Sequence, residues 1–377
     1  MRAARGVSLV FALSGATQAS WMSRLPVILE QTDTNFVRLG VGLLMLGVGT
    51  LAAMLLTGPA CGRYGSRRVL AVGFAVTLLS LLAIVLSHSP PALALSLLAM
   101  GVGSGVWDAG MNVQGYAVEN GLRKHLMSHF HGWWSIGSMA GAGLGLAATR
   151  FSVSLLAHLA AVCLITGSLC LVSLRSFVAD KAARPDAARS QSRWPLRRLA
   201  PIAALMFCGA VVEGAAGDWL AVYLNEVRHL SHTGAALGYA LFVSAMAVGR
   251  LAAERPHRHV GAVGVVRTGA ILAGVSVGLI VLTTASSWAF VGALGWGVGI
   301  CWVFPAALSA TGNAATPSAV AAMTAVGYSA SVFGPLAIGG MAHATGLGTA
   351  ILSLVPLIFV VAALAPVLAG AAPGQSG

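Results

Sequence analysis

Charge is what this chain has least of. Of its 377 residues only 8% are Asp, Glu, Lys or Arg, and just 10 are acidic. Mean hydropathy is +0.85. So little charge cannot cover the surface of a water-soluble fold of this length, which excludes the soluble globular classes. Strand-like alternation of polar and apolar residues is lacking too. In lipid every backbone N–H and C=O must be paired within the protein, which leaves helices or a closed barrel, and continuous apolar runs select helices. There is no Gly-Lys-Ser/Thr nucleotide loop, no dinucleotide glycine fingerprint and no Ser-His-Asp arrangement. Those absences argue against an ATP-driven pump or an enzyme, and no cofactor is expected. The five cysteines fall in or beside apolar runs, where small apolar packing is their ordinary use.

What is present is a series of twelve apolar runs. They cover about 7–29, 36–58, 67–87, 92–116, 129–150, 154–177, 199–224, 233–253, 259–284, 288–310, 316–341 and 346–370. Each is near the roughly 20 residues of helix that cross a hydrocarbon core about 30 Å thick. Of the 22 basic residues, all but Arg24, Arg38, Arg150 and Arg228 lie before the first run or in alternate loops thereafter. That bias predicts a multi-pass protein of the cell's inner or plasma membrane with both termini in the cytoplasm. The net charge of +12 is mostly this topological signal, and it is split among short loops, so no nucleic-acid partner is expected. The basic start followed by an apolar run and Thr17-Gln18-Ala19 imitates a signal peptide. The run continues through Trp21 to Leu29, so the segment is expected to be retained as the first helix.

The chain divides into halves of similar layout, 1–177 and 199–377, joined by a polar basic linker over 178–198. Short segments repeat between the halves in the same order and at nearly constant separation. Gly-Ala-Thr-Gln-Ala-Ser-Trp21 matches Gly-Ala-Ala-Gly-Asp-Trp219, Gly103-Ser-Gly105 matches Gly297-Val-Gly299, and Gly132-Trp-Trp-Ser resembles Gly327-Tyr-Ser-Ala. Repeated halves are a mark of secondary transporters.

At the second loop stands Gly58-Pro-Ala-Cys-Gly62-Arg63-Tyr64-Gly65-Ser66-Arg67-Arg68, with a fainter echo at Gly249-Arg250-Leu-Ala-Ala-Glu254-Arg255. With the six-plus-six layout, this resembles the major facilitator superfamily, whose second loop reads Gly-x-x-x-Asp-Arg-x-Gly-Arg-Arg. Gly62 stands where the family has its Asp. The chain is also similar to a bacterial branch of sugar or metabolite permeases, distantly like fucose permease. The residues carrying that likeness are Trp21-Met-Ser-Arg24-Leu-Pro26, Asp108-Ala-Gly-Met-Asn112-Val-Gln114, Met127-Ser-His129-Phe-His131-Gly132 and Glu213-Gly-Ala-Ala-Gly-Asp218-Trp219. The resemblance implies an all-α membrane fold of two six-helix bundles about a central cavity. It also implies a loop latch at Arg63, Arg67 and Arg68, and a proton-carrying acid in the fourth helix. Lacking the Asp, Arg63 needs another partner, for which a helix C-terminus serves.

Acids within the runs are the sharpest candidates, because an ionisable group at membrane depth costs at least about 2.5–3.5 kcal/mol and marks a pathway or a pair. Asp108 is the leading proton-coupling residue, with Asn112 one turn on and able to share its face. Glu213 is the second. Glu213 and Asp218 diverge by about 140° around their helix, so one of them is expected to face the solute. Asp218 is assigned to gating, with Arg24 as its partner. Solute contacts are expected from Gln18, Trp21, Asn112, Gln114, Trp133, Trp219, Trp302 and Tyr328, with Trp134, Trp296 and Asn313 behind them. Amides and aromatic faces are what a sugar or polyol site uses, although packing and interfacial belts use the same aromatics. His125, His129 and His131 have metal-ligand spacing, but the remaining histidines lie in other loops and no metal is expected. Gly137, Gly141, Gly143 and Gly145, and Gly334, Gly339 and Gly340, are expected to allow close helix approach, with Pro335 kinking its helix. Drug/proton antiporters of the superfamily carry a Gly-Pro signature in the fifth helix, and this chain lacks that proline.

The resulting expectation is a monomeric permease in the lipid bilayer that moves a small polar solute, a sugar or related metabolite, together with protons. Proton-antiport efflux and a non-transporting sensor of the same fold are the alternatives.

Overall fold

The computed structural model describes residues 2–124, 126–178, 196–252, 254–314 and 317–371. Most of the expected linker 178–198, with Lys181, Arg184, Arg189 and Arg193, lies outside the described residues, as does His125; the side chains of Arg255 and Asn313 do too. Contacts divide the chain into two compact units, Met1–Arg189 and Ser190–Gly377.

Every described element is helical. Unit one holds α1 (Arg2–Met22), α2 (Leu25–Thr32), α3 (Phe36–Tyr64), α4 (Ser66–Val85), α5 (Pro90–Leu122), α6 (Met127–Arg150) and α7 (Leu155–Leu174). Unit two holds α8 (Leu196–Glu226), α9 (His232–Leu251), α10 (Glu254–Leu282), α11 (Ser286–Ile300), α12 (Val303–Ala314), α13 (Pro317–Thr345), α14 (Leu347–Leu352) and α15 (Leu354–Leu364), followed by a 3-10 segment at Ala365–Ala371. Ten spans are long and apolar enough to cross a membrane. The two remaining expected spans, α1 and α6, are rich in Gly, Ser and Thr, and they pack on each other. Leu55, Leu56, Leu164 and Leu282 lie more than two-thirds exposed on the outer faces, as lipid-facing residues do.

Local chemistry sets the helix ends. Asn35, Ser154 and Ser231 accept the backbone N–H of Arg38 (2.9 Å), Ala157 (3.2 Å) and Gly234 (3.2 Å) as N-caps. Pro90 opens α5, where its missing N–H costs nothing. Two expected spans are broken, α1/α2 at Ser23–Arg24 and α11/α12 at Cys301–Trp302. Each break lies just ahead of a proline, Pro26 or Pro305. A helical proline lacks an N–H for the carbonyl four residues back and clashes with it; those carbonyls belong to Met22 and Cys301. By contrast α13 runs through Pro335 as one helix.

Glycine lets the backbones touch. A Cβ at Gly137 would collide with the Ala12 carbonyl, one at Gly141 with that of Ala16, and one at Gly15 with that of Trp134, so α1 and α6 meet backbone to backbone. The same holds for Gly101 and Gly105 against α3. On α13, Gly334 meets only Val211 side-chain atoms at 3.8 Å and beyond, and Gly340 meets nothing among the described residues, so neither makes a close backbone approach. Gly143 likewise faces open space.

The repeat extends to the helix caps. In unit one Gln31 donates Nε2 to the carbonyls of Val85 (2.6 Å) and Ser87 (2.8 Å) at the end of α4. In unit two Arg228 donates Nη1 to Ile280 (2.7 Å) and Thr283 (2.6 Å), and Nη2 to Thr284 (2.6 Å), at the end of α10. A polar residue just beyond each half's opening helix thus closes the equivalent helix end.

Candidate functional site

In unit one the acid at depth is Asp108, half-buried on α5. Asn112, one turn on, folds its Nδ2 back to the Asp108 carbonyl at 2.8 Å and to Oδ1 at 3.4 Å. The two expected partners therefore do share a face. The preceding residue, Trp107, is fully buried edge-on to Phe74, with centroids 6.0 Å apart, and fixes that turn of α5. Gln18 is half-buried on α1 and Trp133 stands exposed on α6, donating Nε1 to His129 Nε2 at 3.0 Å.

Gln114 departs from the role expected for it. It is fully buried and spends Nε2 on Ser66 Oγ (2.8 Å) and the Val178 carbonyl (2.8 Å), tying α5 to the start of α4 and to the chain beyond α7. Its two donors are committed to packing, while its Oε1 has no partner among the described residues. Trp21 is also fully buried, a wall residue without a surface to stack on. Arg24, at the α1/α2 break, is 4% exposed and donates Nη2 to the Val153 carbonyl at 3.1 Å. Its Nε and Nη1, and both ring nitrogens of buried His158, have no hydrogen-bond partner among the described residues. Arg63 occupies the last turn of α3, where a cation suits the helix C-terminus, and stacks over Tyr64 at 5.2 Å; Arg67 and Arg68 are exposed at the start of α4. Glu119, near the end of α5, accepts from the N–H groups of Leu126 (2.5 Å) and Met127 (2.9 Å) and so caps α6.

In unit two Glu213 is paired. Its Oε1 accepts from Arg250 Nη2 at 2.7 Å, with the two side chains 25% and 23% exposed. Arg250 also donates Nε to the Cys301 carbonyl at 3.2 Å. Trp302, expected as a solute contact, instead donates Nε1 to the Gly249 carbonyl at 2.8 Å. Asp218 is half-buried on α8, while Trp219 beside it is fully buried. Tyr328 is half-buried on α13. Sequence reading treated Arg250 as a loop charge. The pattern Gly249-Arg250 was visible, but its reach to Glu213 depends on tertiary packing. Among the described residues no three His, Cys, Asp or Glu side chains gather as a metal-binding group.

Comparison with known proteins places the chain. Residues 7–335 match the family profile described as Major Facilitator Superfamily. An uncharacterised MFS-type transporter of Yersinia pestis is 31% identical over 360 residues, covering 95% of this chain and 93% of that protein. The uncharacterised transporter y4wD of Sinorhizobium fredii is 31% identical, covering 97% of both. Among solved structures, a point mutant of the nucleoside transporter NupG aligns with a TM-score of 0.77 at 12% identity, over 97% of this chain and 99% of that one. A bacterial homologue of the human lysosomal transporter Spinster gives 0.76 at 12%, over 98% of each. At such identities the solved structures speak for the fold.

Proposed function

The chain belongs to the Major Facilitator Superfamily, and from that premise we propose that it imports a small polar solute, a sugar or related metabolite, by alternating access coupled to protons. That it is a multi-pass membrane transporter follows from the family and its relatives. The proton coupling rests on Asp108. A carboxylate inside a membrane helix is costly when charged and cheap when protonated, so a half-exposed one at depth is suited to take a proton on one side and release it on the other. Asn112 Nδ2 donates to Asp108 Oδ1 at 3.4 Å. Asn112, Gln18, Trp133 and Tyr328, all with exposed surface, are the solute-contact candidates. Arg63, Arg67 and Arg68 at one helix turn, and Arg24 and Asp218 elsewhere, are the gating candidates. The basic loops support cytoplasmic termini in the plasma membrane, and the working unit is taken as the monomer.

The test is Asp108→Asn in proteoliposomes. Accumulation of a panel solute driven by a pH gradient is lost in the variant, while exchange of labelled for unlabelled solute persists, because exchange needs no net proton release. Undiminished accumulation in Asp108→Asn would remove Asp108 from the coupling. Gradient-driven exit would turn the reading to efflux, and binding without flux to a sensor.

A further inference from the structure

The packing around Arg250 has a chemistry of its own. Pro305 denies the Cys301 carbonyl its helical partner, and the helix parts there into α11 and α12. Arg250 Nε reaches across from α9 to take that carbonyl at 3.2 Å. Trp302 Nε1 returns a bond to the Gly249 carbonyl at 2.8 Å. Two consecutive residues of α9 thus exchange hydrogen bonds with two consecutive residues of the break. The approach is close: a Cβ on Gly249 would lie 2.6 Å from Cys301 Sγ. The guanidinium is therefore held from the break through Nε as well as from its carboxylate. Glu213 adds a single bond, Oε1 to Nη2 at 2.7 Å, from the middle of α8. The pair keeps about a quarter of each side chain exposed. Broken helices inside membranes are where transporters build solute sites.

We propose that Arg250 is the anchor for a carboxylate group on the transported solute, and that Glu213 is the internal carboxylate that fills the anchor when no solute is bound. The inference rests on the transport reading above and adds the solute's chemical class. A guanidinium has five donors in a planar fork that matches a carboxylate, and Cys301 and Glu213 take two of them. When a solute carboxylate displaces Glu213, two anions would compete for one cation. A proton from water on Glu213 removes that conflict. The empty site is Arg250 cation with Glu213 anion; the loaded site is Arg250 cation with solute anion and neutral Glu213. Both carry the same charge, so one anion travels with one proton and the exchange is electroneutral. The elements packed on α8 bring few other titratable groups to interfere. Near Glu213 are Arg250 and the Cys301 thiol, and α8 itself also carries Arg197, Arg198, Cys208, Asp218, Tyr223 and Glu226. On the packed elements, α9 adds His232 and Tyr239, α13 adds Tyr328 and His343, and α11, α12, α14, α15 and the 3-10 segment carry none.

The experiment is ligand binding to the full chain in detergent, read by Trp fluorescence and by the shift of thermal midpoint. The probes are acetate, lactate and gluconate, with 1,2-propanediol and glucose as neutral counterparts and chloride as the ionic control. Lactate or gluconate binds where its neutral counterpart and chloride do not. Its apparent Kd rises about tenfold per pH unit wherever binding takes up one proton per anion. Glu213→Gln keeps carboxylate binding, flattens its pH dependence and tightens it on the order of tenfold at neutral pH, since the internal competitor is gone. Arg250→Gln loses binding, and Arg250→Lys recovers part of it. Carboxylates that act no differently from chloride, that bind equally well in Arg250→Gln, or that bind more weakly in Glu213→Gln each overturn the proposal. Carboxylate binding without flux would defeat the transport reading and leave this one standing. Flux of neutral sugars unchanged by Arg250→Gln would do the reverse.

Discussion

Residue by residue, the polar groups of the spans sort by what already holds them. Gln114 has both Nε2 bonds committed, to Ser66 and to Val178. Gln114→Leu fills nearly the same space but removes both bonds, to the buried Ser66 hydroxyl and to the Val178 carbonyl, so it lowers unfolding free energy by about 1–3 kcal/mol in a denaturant titration in micelles. Solute binding stays intact in that variant; an unaltered stability with binding lost would return Gln114 to the solute. Asp108 and Glu213 were legible as acids at depth, because ten acids in a membrane protein are few enough to examine singly. Which acid is paired was not legible. Glu213 meets Arg250 only because α9 ends where α8 is at mid-length, and no local pattern encodes that. The fate of Trp302 was hidden for the same reason: its indole N–H answers to a carbonyl on another helix.

For the elements, spans were easier to read than breaks. Hydropathy gave the twelve runs to within a few residues because each must satisfy its own backbone in lipid. It could not show the partings at Ser23–Arg24 and Cys301–Trp302, which leave the mean hydropathy of the run unchanged. Proline was the available signal. It parts the helices at Pro26 and Pro305, whereas α13 continues through Pro335 as one helix. Glycine needs the same discrimination. Gly141 abuts the Ala16 carbonyl, while Gly143, two residues on, faces open space. Gly141→Leu therefore forces α1 and α6 apart and costs about 1–3 kcal/mol or more. Gly143→Leu stays within about 0.5 kcal/mol of the parent. Thermal unfolding of the two variants side by side checks this, and equal midpoints would mean the α1–α6 contact is not backbone to backbone.

At the scale of the whole molecule, duplication organises everything. The paired glycines of α5 and α11 all approach neighbouring backbone, but crosswise: Gly103 meets α4 and Gly105 α3, whereas Gly297 meets α9, the counterpart of α3, and Gly299 meets α10, the counterpart of α4. Gln31 and Arg228 close equivalent helix ends with different chemistry. The glycines survived as a sequence match because only glycine fits a backbone contact. The caps did not, since any donor long enough serves. Each half also holds a broken span with an arginine beside the break, Arg24 in one and Arg250 in the other, and among the described residues only the second has a carboxylate bound to it. The central claim is that these halves carry a solute on a proton gradient. The most direct measurement is solute uptake into proteoliposomes of the wild-type chain with the outside made acidic, across sugars, polyols and their acid counterparts, with an ionophore that collapses the gradient as control. The account predicts accumulation of at least one member above its outside concentration, abolished by the ionophore. Equilibration to the outside concentration and no further, with or without the gradient, would contradict it.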